Sequence, residues 1–536
     1  MRNRNRFGRI GIATAANEMV NAVVLMKKCV DMKRVLVVAI MVVGMLPILS
    51  TFAAADGVIT VNTTADAVVD DAICSLREAV VAANTDSAFN GCAAGSGVDR
   101  IEFDMSLVQP VVITLTLAGL NEDNSMSGDL DIIEDVTIAG LGVGQTIIDG
   151  DGADRLFDIR PSAHVTITNM SIQNGNPGLG MLGGGIRVDT ASLVLTDVSV
   201  SANQSGGISN DSGILSLSNV TVVDNVAGYG VLNQDSASLT FNNGVVSGNQ
   251  GGGIYNAAST ATIDGVDVLN NSGGGGLYNL ATTSLTRLTM TQSRVIGNTA
   301  VSGAGIYNEG INAIVDIATT QISENVATGA GGGVLNNGIM TIDESTIDHN
   351  QARSGAGINH IGGSLSLTND TISNNDAADN GGGLYSSGSA TLTNVTLNAN
   401  LGDGPDTGGN LFNDGASIIF RNTIVANSPA DGNCFNDSGF INSSGNNLDS
   451  ANSCGFNAVG DIVNSDPLLG VLQDNGGATW THALLAGSPA INTGENSFCP
   501  TIDQRGIARP QATICDIGAY EAVDFDNFVY LPWVIN

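Results

Sequence analysis

Asparagine returns in one place along residues 183–427, at Asn203, Asn225, Asn249, Asn271, Asn298, Asn325, Asn350, Asn375, Asn400 and Asn427. Three residues before each stands an aliphatic residue, from Val200 to Ile424, and eight before another apolar one, from Leu195 to Ile419. Between these columns runs a glycine phrase, fullest at Gly251-Gly-Gly-Ile-Tyr-Asn256. Its apolar residue recurs at Ile186, Ile208, Val231, Ile254, Leu277, Ile306, Val334, Ile358, Leu384 and Leu411, at spacings from 22 to 29. A period in the twenties suits a leucine-rich repeat or a turn of parallel β-helix. No Leu-x-x-Leu-x-Leu-x-x-Asn phrase recurs and no helical stretch fits inside a unit. Positions ten and eight before the asparagine share a parity, the period-2 mark of a strand with one buried face. The unit is therefore read as short strands between polar bends, stacked in parallel on the next unit.

Stacking gives the asparagines a task. At about 4.8 Å between turns, an inward amide can hydrogen-bond the amides above and below it and so satisfy a buried bend. A second column follows the glycine phrase at Asn210, Asn233, Asn256, Asn279, Asn308, Asn336 and Asn413, interrupted by His360 and Ser386. Two ladders are expected.

Only 13% of the 536 residues are charged and 4% aromatic, while 69 are glycine, a profile that fits a solenoid built on small aliphatic residues. The formal charge is −33, and after Ala55 there are eleven arginines and no lysine. Such a surface excludes nucleic acid and anionic membrane as partners, and it repels acidic polysaccharide unless cations intervene. Lys33-Arg34, the apolar run Val35 to Leu49 and Ala53-Ala54-Ala55 have the order of a secretion signal, with translation starting near Met26 or Met32. Without Cys29 of this leader, six cysteines remain, and local pairing joins Cys74 with Cys92, Cys434 with Cys454 and Cys499 with Cys515, one of fifteen connectivities. The expected product is a monomer, secreted or on the surface of a bacterium, with no membrane span in the mature chain.

Ile59-Thr-Val-Asn-Thr-Thr reads as a strand, and Cys74-Ser-Leu-Arg-Glu-Ala-Val-Val-Ala-Ala-Asn84 changes period. Ser75 and Glu78 form a Ser-x-x-Glu capping box, and Leu76, Ala79, Val80 and Ala83 make one apolar helical face, suited to plugging the open end of a solenoid. Residues 59 to about 86 resemble the CSLREA domain of secreted proteins, which typically precedes a right-handed β-helix. The repeats resemble the pectate-lyase-like right-handed parallel β-helix family, and the Gly-Gly-Ile-Tyr-Asn phrase is similar to repeats of polymorphic outer-membrane adhesins. The segment Asp474-Asn-Gly-Gly-Ala-Thr-Trp-Thr-His, Ser488-Pro-Ala-Ile-Asn-Thr-Gly494, Asp503-Gln-Arg-Gly, Arg509-Pro and Cys515-Asp-Ile-Gly-Ala-Tyr-Glu521 resembles the choice-of-anchor Q domain, found in exported proteins joined to varied surface anchors. The expected order is a leader at 1–55, an N-terminal cap at 56–100, β-helix repeats at 101–430, an irregular cysteine-containing turn at 431–465, a disulfide-braced C-terminal cap at 466–522 and a tail at 523–536. The fold class is all-β, a right-handed parallel β-helix with a short N-terminal capping helix.

The outward positions nine, seven and four before the asparagines are mostly Ser and Thr. Charged exceptions gather at Asp264, Asp267, Arg294, Asp316 and Asp343. The family the repeats resemble uses an arginine or lysine base beside carboxylates that hold Ca²⁺. Arg294, Asp316 and Asp343 are therefore the candidates for catalysis, and Asp264, Asp267, Asp316 and Asp343 for Ca²⁺ or sugar hydroxyls. Asp267 and Arg294 share a column in successive turns and are expected to pair. Two functions compete: a displayed β-helix acting in structure, adhesion or glycan binding, favoured by the lack of a catalytic signature, and a secreted polysaccharide lyase or hydrolase. The charged set Asp503, Arg505, Arg509, Asp516 and Glu521 is read as folding the C-terminal segment.

Overall fold

The computed structural model describes residues 57–119, 122–178, 180–404, 406–429 and 432–523, all within one compact unit, 56–536. The leader with Met26, Cys29, Met32 and Ala55, and the tail residues Val529 to Asn536, lie outside the described residues.

The chain winds into a parallel β-solenoid of about thirteen turns. A regular turn has a short strand such as Ile208–Asp211 and a long one such as Ile214–Val223, which bends at Asn219, where φ is 56°. The bend divides the long strand, so each turn presents three strand segments. The same corner holds Asp197, Asn243 and Asn369, residue types that tolerate the left-handed region. In each segment alternate residues are buried, and Leu215, Leu217, Val220 and Val222 pack on their counterparts one turn away.

Both ladders form. Asn225 Nδ2 donates to Asn249 Oδ1 at 2.9 Å, and Asn225 N–H donates to the same oxygen at 3.1 Å. The other Nδ2 proton reaches Val200 O at 3.2 Å. This pattern repeats from Asn203 to Asn400. Asn427 is not the next rung. It occupies the exposed left-handed corner, φ 56°, and its Nδ2 donates to Asn398 Oδ1. Asn410 and Asn433 continue the ladder instead, at 2.8 and 3.0 Å, and Asp449 ends it. The preceding turns carry glycine just before the short strand, where a Cβ on Gly383 would lie 2.9 Å from Asn400 Nδ2. An asparagine in that place reaches into the ladder. The register read from Asn427 is therefore one residue off: Phe420 and Val425, not Ile419 and Ile424, stack on Leu392 and Leu397.

The second ladder runs from Asn210 through Asn233, Asn256, Asn279, Asn308 and Asn336 to His360. From Leu277 onward the units lengthen, and the extra residues form a five-stranded parallel sheet, Thr299–Ala300, Val326–Ala327, Gln351–Ala352, Asp376–Ala377 and Leu401–Gly402, over a small alanine core.

Helix α1 (Leu76–Asn84) closes the first turn, with Ser75 and Glu78 forming the capping box and Leu76, Ala79, Val80 and Ala83 buried. Arg77 is buried as well, paired with Asp66 at 2.7 Å. The three local disulfides are present, and they fit an oxidising, extracellular setting. The C-terminal segment does more than close an end. It runs back along the third strand segments, where Gln504 bonds Thr346 and Thr371, His482 bonds Ser373 and Asn398, and Ile517 packs with Ile424 and Leu448. Arg505 pairs with Asp503 and Arg509 with Glu521, as expected of a set that folds this segment. Among the described residues, no helix is long and apolar enough to cross a membrane.

Candidate functional site

The outward middle position of the short strands forms one column over successive turns: Asp131, Asp158, Arg187, Ser209, Leu232, Tyr255, Tyr278 and Tyr307. Its character changes along the axis, ionic near the helix and aromatic in the middle. Tyr278 and Tyr307 stack with ring centres 4.8 Å apart and planes 3° from parallel, so each covers one face of the other, and Tyr255 meets Tyr278 edge to face. Tyr278 OH donates to Glu309. Burial and that carboxylate both oppose loss of the Tyr278 proton.

The ionic end is a pocket of about 590 Å³, lined by Glu122, Asp123, Asp129, Arg155, Arg160 and Arg187 among others. This volume lies in the range of ligand sites. Its wall is positioned by α1: the Arg77 guanidinium donates to Ser125 O, Gly128 O and Asp129 O at 3.2, 2.8 and 3.3 Å, fixing the loop before strand Leu130–Ile132. Strand Phe157–Ile159 adds Asp158, and strand Ile186–Asp189 adds Arg187. Asp158 Oδ2 lies 3.3 Å from Arg155, 3.1 Å from Arg160 and 3.4 Å from Arg187. Arg155 also reaches Asp129 Oδ2 at 3.2 Å.

Burial dominates the electrostatics. It pushes the Asp129 carboxyl up to about 7 against the opposing pull of Arg155, and the Asp131 carboxyl up to about 8, helped by Asp129. Paired carboxyls of this kind, next to partly exposed guanidinium groups, can bind hydroxyl-rich or charged ligands, hold a cation or exchange a proton.

The residues singled out by sequence lie elsewhere and on two segments. Asp267 and Arg294 pair through two hydrogen bonds, at 2.7 and 2.6 Å. Asp264 accepts from Thr291 Oγ1, and Asp316 pairs with Arg287. Asp264 and Asp343 share a column but stand three turns apart, on the order of 14 Å. Burial raises the Asp343 carboxyl. Asp264, Asp316 and Asp343 thus belong to one face and Asp267 with Arg294 to the next, beyond the corner at Gly265. A groove of about 670 Å³ beside the five-stranded sheet is larger than the ionic pocket, but its ion pair, Arg353 with Asp379, is exposed. It gathers no buried charge, and size alone does not make it the site.

Sequence reasoning missed Asp129, Asp131, Arg155, Asp158, Arg160 and Arg187. The triplets Leu130-Asp-Ile, Phe157-Asp-Ile and Ile186-Arg-Val, aligned with Gly-Ile-Tyr-Asn, carry the signal: an apolar–charged–apolar strand in three consecutive turns.

Residues 131–273 match the family described as right handed beta helix region. No curated protein matches the chain. Among solved structures, the A-module of Azotobacter vinelandii mannuronan C-5 epimerase AlgE6 is 16% identical with a TM-score of 0.34, covering 74% of this chain and 94% of its own. Pectate lyase Pel9A is 12% identical with a TM-score of 0.30, covering 79% and 88%. Open reading frame 18 of Geobacillus virus E2 is 12% identical with a TM-score of 0.30, covering 72% and 61%.

Proposed function

We propose that this chain is an exported, surface-displayed β-helix protein that binds glycan along the outer face of its short strands, with the ionic pocket as the anchoring end. The observation that carries this reading is that one column holds two polar patches: Arg187 and Asp158, in a pocket that opens on the outside, stand in register with Tyr255, Tyr278 and Tyr307, separated from them by the buried Ser209 and Leu232. Sugar hydroxyls need planar donors and acceptors of this kind, and an extended ligand needs them in a row. The disulfides, the leader and the resemblance to CSLREA and choice-of-anchor Q modules support export and display.

The test is full-length protein against a panel of neutral and uronate-containing polysaccharides, with and without calcium, read by binding, by the ultraviolet absorbance of unsaturated ends and by reducing ends. Expected is saturable binding without turnover, weakened by Arg187→Met and unaffected by Arg294→Met. Binding to no polysaccharide, or equal loss in both variants, overturns it.

A second reading, polysaccharide lyase or hydrolase, is favoured by one observation: burial raises the Asp129 and Asp131 carboxyls to about 7 and about 8, the range of a general acid or base, beside the partly open pocket. Turnover abolished by Asp158→Asn would replace the binding reading with this one.

A further inference from the structure

We propose that Asp129, Asp131 and Asp158 form a Ca²⁺ site in the second and third turns beneath the N-terminal cap. One oxygen from each of the three carboxylates lies within 4.8 Å of the other two. Three oxygens at that spacing all lie within about 2.8 Å of a common point, so one Ca²⁺ reaches contact at about 2.4 Å through side-chain shifts of a few tenths of an ångström.

The second observation is independent of the clustering. Asp131 Oδ1 and Asp158 Oδ1 are buried and have no hydrogen-bond partner among the described residues, and their side chains belong to residues only 1% and 3% exposed. The surrounding donors are spent on the other oxygens. Ser125 N–H donates to Asp131 Oδ2, Arg155 to Asp129 Oδ2, and three guanidinium groups converge on Asp158 Oδ2. An unpartnered buried carboxylate oxygen is costly, and two of them pointing at no protein donor call for a cation.

Asp129 and Asp158 also line the pocket, from which water or ligand hydroxyls would complete the coordination of an ion. An all-carboxylate oxygen set of this spread, on a loop and two strands, suits Ca²⁺ better than Mg²⁺, which demands a tighter octahedron. This site stands whether or not the face binds glycan.

The test uses the full-length chain, stripped with a chelator and titrated with Ca²⁺ by calorimetry and equilibrium dialysis. Expected are one bound equivalent and a melting temperature that rises with free Ca²⁺. Asp131→Asn and Asp158→Asn each weaken binding at least about tenfold through the lost ligand charge, whereas Asp267→Asn retains it. No bound equivalent in the natural chain overturns the proposal, as does binding lost in Asp267→Asn but kept in Asp131→Asn. If the variants at the site do not fold, hydrogen exchange of the natural chain decides. Calcium-induced protection centred on residues 122–131 and 157–160 supports the site, and protection confined elsewhere sinks it.

Discussion

His360 Nδ1 accepts a hydrogen bond from Asn336 Nδ2 at 3.0 Å, while its Nε2 faces Ser389 O at 3.1 Å. The first contact needs a bare Nδ1 and the second a proton on Nε2, so the neutral Nε2–H tautomer fits this rung and an imidazolium does not. Burial lowers the His360 pKa from its ordinary 6.5.

A pH dependence follows. The folded value is depressed below the unfolded one, so the unfolded chain binds more protons as pH falls through 6.5. The contribution of His360 is fully present above that pH and is lost as pH falls towards the folded value. His360→Asn removes the titration, and the stability difference between it and the natural chain, measured by denaturant titration, should move in favour of the variant between pH 7 and pH 5. His482, also lowered by burial, remains in both proteins and cancels from the difference. A difference that does not change with pH would show that His360 does not carry the effect.

Asn325 joins two turns through four hydrogen bonds. Its Oδ1 accepts from Asn298 N–H and Nδ2, both at 3.0 Å, and its Nδ2 donates to Val295 O and Asn350 Oδ1 at 2.9 and 3.0 Å. Asn325→Ala orphans buried partners on both sides and should cost roughly 3 kcal/mol or more. Asn427→Gly, at an exposed left-handed corner, should stay within about 1 kcal/mol. Equal effects in chemical denaturation would mean that Asn427 is a rung after all.

These two asparagines also show what the sequence made legible. The inner face was readable because stacking repeats the same demand in every turn, so period, parity and amide columns appear as text. The ladder's exit through Asn410 and Asn433 was not, because it depends on which glycine slot faces the amide, a distance in space. The ionic pocket was hidden for a related reason. Asp131 and Asp158 lie in turns that lack the Gly-Gly-Ile-Tyr-Asn phrase, so their apolar–charged–apolar triplets are short and unaligned in the text, and only strand pairing joins them to Arg187. Asp267 and Arg294 were found because they fall inside the regular count, yet their pair is a local one with Arg294 more than half exposed. Removing it with Arg294→Met should change stability by less than about 1 kcal/mol.

Arg77 is different in kind. Its guanidinium is sequestered between Asp66 and three carbonyl oxygens, and both members of the ion pair are buried. Arg77→Met leaves the Asp66 carboxylate buried without its cation, held only by the Thr116 and Leu117 N–H groups, takes the guanidinium donor from those carbonyls, and should cost about 3–5 kcal/mol. The loss should be seen first in hydrogen exchange of residues 122–132, the loop and strand that Arg77 holds. Protection lost evenly over all turns would instead mean that helix and solenoid unfold as one.

Gln504 pins the returning C-terminal segment to the flank of the solenoid. Its Nε2 lies 3.1 Å from Ser345 O, 3.0 Å from Thr346 Oγ1, 2.9 Å from Thr479 Oγ1 and 3.0 Å from Trp480 O, and its Oε1 accepts from Thr371 Oγ1 at 2.6 Å. Gln504→Ala removes every one of these while leaving the Cys499–Cys515 disulfide and the Arg509–Glu521 pair in place. Thr346 Oγ1 keeps its bond to Trp480 O at 2.6 Å, whereas Thr371 Oγ1 loses its acceptor in a buried place. A cost of roughly 2 kcal/mol is expected, confined to local opening. Limited proteolysis should then cut within 466–523 before any site in 183–400, and hydrogen exchange should quicken in the segment while the asparagine ladders keep their protection. Simultaneous loss from both would show that the flank segment is part of the solenoid's cooperative unit and not a strap laid over it.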